Sequence, residues 1–172
     1  MLSLKMKHFI RDALSAMVSL AMEKDFTTRF LEESALQAVA IVLCNHYHEP
    51  DIAKLAFNIM SSIVSENTEA ALSLLLIPKE NLPNDEIGIL DITILAYRLH
   101  CDHGSVVEGC AGFLASLTYH ADLVSELNCT EKAVETIEEI ARRYRDRETI
   151  TNSCKFILDA MKNGEKLIEN EA

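Results

Sequence analysis

Six histidines and five cysteines are the side chains of this 172-residue chain with the plainest capacity for chemistry. Two groups concentrate them: Cys44-Asn45-His46-Tyr47-His48 and His100-Cys101-Asp102-His103. Imidazole nitrogen and thiolate sulfur are the donors tetrahedral zinc prefers, so His46, His48, His100 and His103 form a candidate metal set. No CxxC or HExxH spacing accompanies them. Histidine also suits the last turn of a helix, where its cation meets the negative end of the helix dipole. The expectation is therefore no metal and no cofactor, with a metal-binding helical enzyme or sensor as the alternative.

Other chemistry finds less support. Arg142, Arg143, Arg145 and Arg147 form the one basic run. It reads either as a clamp for phosphate or acidic peptide, or as intrahelical pairing of Glu138 with Arg142 and Glu139 with Arg143. Adjacent carboxylates such as Glu138 and Glu139 diverge by about 100° on a helix and cannot converge on one substrate atom. No G-x-S-x-G, Walker-type or G-x-G-x-x-G segment is present. The chain reads as non-enzymatic.

Charge narrows the partners. Lys plus Arg number 16 against 27 for Asp plus Glu, a formal net charge of −11, and both halves of the chain are acidic. Nucleic acid and anionic membrane are disfavoured, because neither presents positive charge to an acidic surface. The odd, irregularly spaced cysteines read as free thiols in a reducing, cytoplasmic setting. Asn128-Cys129-Thr130 matches a glycosylation acceptor only formally. The basic, amphipathic start resembles a mitochondrial presequence, but its periodicity continues unbroken into Met22, as a structural helix would.

The elements that must position these residues are helices. Gly 5 and Pro 3 leave few turn-formers, and apolar residues recur at helical spacing almost throughout. The first helix spans about 4–23, with Phe9, Ile10, Ala13, Met17, Leu20 and Ala21 on one side. Others follow at 26–47, with a potential break near Glu33-Ser34, at 52–65 capped by Asp51, and at 69–77 capped by Asn67 or Thr68. After the loop PKENLP (78–83) a helix from Asn84 or Asp85 reaches His100. Ser105 and Glu108 form a capping box for 106–119, a short helix covers 121–127, Thr130 caps 131–145, and the last helix, 148–163, ends at Asn163-Gly164.

Three stretches superpose without gaps: LAFNIMSSIV (55–64), GCAGFLASLT (109–118) and NSCKFILDAM (152–161). Small residues align at Ala56, Cys110 and Ser153, and bulky ones at Ile59, Phe113 and Phe156. The same offsets align the preceding helices at Leu36, Leu90 and Ala133, and at Leu43, Tyr97 and Ile140. A period in the low forties with two to three helices lies in the range of armadillo and HEAT units. The stretch EGCAGFLASLTYHADLVSELNCTEKAVETIEEIARRY (108–144) resembles one armadillo unit, and the likeness covers about 26–163. It lacks the Asn ladder of the peptide-binding armadillo proteins.

The resemblance implies an all-α, right-handed α-α superhelix: a single domain, 1–172, of about three units. Residues 1–25 form an N-terminal capping helix, 26–163 the repeats and 164–172 a frayed tail. It further implies a scaffold or adaptor that binds another protein on its inner helices, and the acidity of the chain points to a basic or mixed segment of that partner. Projected across units, that surface holds Gln37, Ile41, Asp91, Leu95, Arg98 and Glu138, extended by His48 and Arg145 at the loop edge. A structural fragment of a longer scaffold is a further alternative, and exposed solenoid ends would permit a homodimer.

Overall fold

The structure, a computed structural model, describes residues 4–23, 34–65, 67–75, 77, 88–130 and 132–171. Every regular element among them is a helix: α1 (Leu4–Ala21), α2 (Ala35–His46), α3 (Pro50–Val64), α4 (Thr68–Leu75), α5 (Ile89–Leu99), α6 (Gly104–Leu117), α7 (Ala121–Cys129), α8 (Ala133–Arg143) and α9 (Glu148–Glu171). The PKENLP loop, the helix start at Asn84 or Asp85 and residues 26–33 lie outside the described residues.

The internal repeat is present at the level of whole helices. Ala35 to Ile89 and Pro50 to Gly104 are each separated by 54 residues, and the same shift carries α4 onto α7. A shift of 43 residues carries α5 onto α8 and α6 onto α9 to within a residue at their starts. α3 and α6 make the most extensive helix contact, and they run parallel: Gly109 faces Phe57 and Gly112 faces Ser61. A Cβ at Gly109 would stand 3.2 Å from that of Phe57, so glycine permits the close approach. α9 follows α6 in the same direction, with Thr149 donating to Glu108 at 2.8 Å and the Phe156 ring 5.0 Å from that of Tyr119.

Burial follows the aligned columns in the first two units but not in the third, where Ser153 is only half-buried. Ile59 and Phe113 are inaccessible to solvent, as are Ala56 and Cys110. Phe156, expected to be buried with them, is 41% exposed. Phe113 stacks on Phe57 with ring centroids 6.1 Å apart. The 54-residue shift puts Ala111 where Phe57 stands, so Phe156 finds no ring beneath it and lies against exposed Tyr119.

Several helix ends differ from expectation. Pro50 opens α3, with Glu49 as N-cap, where Asp51 was the predicted cap; proline is pre-shaped for a first helical position. His103 precedes α6, and Glu108 accepts from Thr149 instead of closing a capping box on Ser105. Thr130 ends α7, its hydroxyl donating to Glu126 O, while Lys132 at φ 63° precedes α8. Asn67 does cap α4, accepting from Ala70 N at 2.9 Å. α9 continues through Gly164 to Glu171 where a stop and a frayed tail were expected; a mid-helix glycine costs only about 1 kcal/mol, and Glu, Lys and Leu follow it. On α1, Leu14 and Ala21 are buried, whereas Phe9, Ala13 and Leu20, placed on the same side by the sequence reading, are exposed.

Candidate functional site

The His/Cys clusters occupy the corners between α2 and α3 and between α5 and α6, and these corners are adjacent. His100 Nε2 donates to Tyr47 O at 2.8 Å. One unit further, Tyr144 Oη donates to Cys101 O at 2.7 Å, and Arg143 pairs with Asp102. Tyr47 and Cys101 are equivalent under the 54-residue shift, so each corner carbonyl is met by a side chain of the following unit. Lys7 on α1 closes the series by pairing with Glu49 of the first corner. That ion pair holds the Glu49 carboxyl below the usual carboxylate range, chiefly through the hydrogen bond from Lys7.

Arg143 thus turns to Asp102 and not to Glu139, the intrahelical partner expected for it. The ion pair raises the Arg143 guanidinium further above its already high range. Arg145 lies 3.9 Å from Asp146, both fully at the surface.

This geometry does not assemble the metal set. The rings of His46 and His48 are 6.2 Å apart and those of His100 and His103 are 5.7 Å apart. Buried His100, however, spends Nε2 on a carbonyl. Among the described residues no three His, Cys, Asp or Glu side chains converge on a common point. Burial pushes the Cys44 thiol up to about 11, away from the thiolate a metal requires. Burial, and next the neighbouring His48, hold His46 below the usual imidazole range.

The opposite edge carries a histidine that the sequence reading did not single out. His120 Nε2 donates to Val64 O at 2.8 Å, and its Nδ1 is 3.0 Å from Thr68 Oγ1. The ring therefore joins the α6–α7 turn to the end of α3 and the start of α4. No motif marks this role; only the offset, which sets the α6–α7 turn level with that between α3 and α4, pointed there.

Of the residues projected onto the inner surface, Gln37, Arg98, Glu138, His48 and Arg145 are exposed, and Ile41, Asp91 and Leu95 are half-buried. Ile41 and Leu95 lean on the core. Asp91 is already engaged, its carboxylate accepting from Gly88 N at 3.0 Å at the start of α5. Cys44, one turn beyond Ile41 on α2, is buried and belongs to the core. The reading missed Leu99, which is 54% exposed beside Arg98. Its counterparts under the shifts are Asn45 and Arg142, and a leucine among polar equivalents was the available signal.

No protein-family model matches the chain, and neither a curated protein nor a solved structure does. Among the described residues no helix is long and apolar enough to cross a membrane.

Proposed function

We propose that the chain is a short armadillo/HEAT-like α-solenoid and serves as a non-enzymatic protein-interaction module in the cytoplasm. The observation that carries this reading is the pair of corner bonds, His100 to Tyr47 and Tyr144 to Cys101. They set the ends of α2, α5 and α8 side by side, so equivalent side chains on these helices form one surface. Its centre is half-buried Ile41 and Leu95, and its rim is Gln37, Arg98 and Glu138. Apolar residues ringed by charge form the composition of a protein interface.

The partner is a segment with exposed Lys or Arg, drawn by the −11 charge of the chain. Arg98 is the principal contact. It is exposed and makes no ion pair or hydrogen bond among the described residues, so its planar fork is free for a carboxylate or carbonyl. The test is affinity capture with wild type and Arg98→Glu, followed by titration of the captured partner against Arg98→Ala. Truncation should lower affinity by about 1–2 kcal/mol with folding unchanged. Equal capture by Arg98→Glu would remove this surface from consideration.

A further inference from the structure

α1 presents two apolar stripes. One faces the other helices, with Leu14 and Ala21 buried and Ile10, Met17 and Val18 half-buried. The other faces solvent: Phe9 is 73% exposed and Leu20 39%, and Ala13 and Ala16 are exposed between them. Phe9, Ala13, Ala16 and Leu20 alternate spacings of four and three residues, the repeat of a two-helix seam. A helix on the surface of a folded domain normally turns a polar face outward. An apolar seam on α1 instead calls for a cover.

We infer that the cover is α1 of a second copy, packed antiparallel about a two-fold axis beside Ala13. The seam is self-complementary only in that direction. Antiparallel pairing sets the large Phe9 against the small Ala16 of the second copy, with Ala13 meeting its own equivalent at the axis. Lys5 stands in the first turn of α1 and Glu23 two residues past its end at Ala21, so each Lys5 comes within reach of the other copy's Glu23, and this happens twice. Parallel pairing would place like charge on like and Phe9 on Phe9. The remaining charge of each copy is strongly negative and opposes association, so salt strengthens the dimer by screening. The interface involves one helix per copy, which places it among the small, weakly associating class.

The experiment is sedimentation velocity of the full chain across a range of protein and salt concentrations. Wild type should dimerise in the micromolar range and more tightly at high salt. Phe9→Glu should weaken association by about tenfold or more. Lys5→Glu should weaken it several-fold, and the exchange Lys5→Glu with Glu23→Lys should restore it. Circular dichroism of each variant checks folding, which an exposed Phe9 does not support. An Ala13→Cys variant should cross-link to itself under mild oxidation faster than wild type. A chain that stays monomeric, or a dimer that survives Phe9→Glu, overturns the proposal. So does binding of the monomer to phosphatidylserine vesicles that depends on Phe9, which would assign the seam to lipid. Loss of dimerisation with Arg98-dependent capture intact, or the converse, separates this inference from the partner-binding surface.

Discussion

His100 Nε2 lies 2.8 Å from the carbonyl oxygen of Tyr47, 53 residues earlier in the chain. A histidine that composition invites one to read as a metal ligand is instead a strut between two helical corners. Replacing it with alanine removes a buried ring and leaves a carbonyl unpaired. His100→Ala should cost about 2–3 kcal/mol in urea unfolding. Zinc should leave the wild-type midpoint unchanged, and a midpoint raised by zinc would return this corner to metal binding.

Gly109 sets the distance between α3 and α6. A methyl group there meets Phe57 Cβ at 3.2 Å, with Asn58 Oδ1 at 3.4 Å and the Lys54 carbonyl at 3.6 Å. Two of these neighbours are fixed by backbone or by a buried ring. Gly109→Val should destabilise by about 1–3 kcal/mol through overpacking, whereas Gly112→Ala, whose Cβ would meet only Ser61 Oγ at 3.8 Å, should be tolerated. Thermal unfolding of the two variants side by side decides it.

Tyr97 is wholly buried and its hydroxyl has no hydrogen-bond partner among the described residues. Burial, and secondarily the charge of Glu139, push that hydroxyl above the ordinary phenol range, so it stays neutral. Deleting an unpaired buried polar group is neutral or favourable. Tyr97→Phe should match or exceed wild-type stability by up to about 1 kcal/mol, and a clear loss on chemical denaturation would reveal a hydroxyl contact.

Glu49 carries a pH dependence. Its carboxyl is depressed by Lys7, so the folded state prefers the ionised form. The sign follows: the Lys7–Glu49 contribution is complete above the ordinary carboxylate range and disappears as pH falls through the depressed folded value. Lys7→Met should therefore be less stable than wild type at neutral pH and indistinguishable in strong acid. In NMR titration the Glu49 carboxyl of Lys7→Met should return to the usual range.

Cys110 tests the small-residue column. It is fully buried, its thiol 3.8 Å from Thr93 O of α5, and aligned with Ala56 and Ser153. Cys110→Leu should lower stability by about 1–3 kcal/mol, against little change for Cys110→Ala. An unaltered melting temperature for the leucine variant would place the side chain in a looser setting.

Much of this was legible without coordinates. Helical spacing located the described helices, most of their ends to within a few residues and the end of α9 eight residues short, because a 3.6-residue period written in Leu, Ile, Val and Ala survives any tertiary arrangement. The 54- and 43-residue shifts were legible because equivalent positions in successive units meet equivalent neighbours, as Ile59 and Phe113 do. The column of small residues followed from the same logic. Helix starts were less legible where the cap was a backbone matter, as at Pro50 and Lys132.

What tertiary structure alone decided was which of two possible contacts each residue makes. α1 is apolar on two stripes, and only its packing against α3 chose Leu14 and Ala21 for burial and left Phe9 in solvent. Phe156 has the same type and register as Phe113, yet it is exposed because the unit before it offers Ala111 where the earlier one offers Phe57. His100 and Tyr144 bond to backbone carbonyls, and every residue has a carbonyl, so no side-chain pattern names that partner. Periodicity is a local property that the order of residues carries by itself. The choice among equally suitable neighbours is made only when the helices meet.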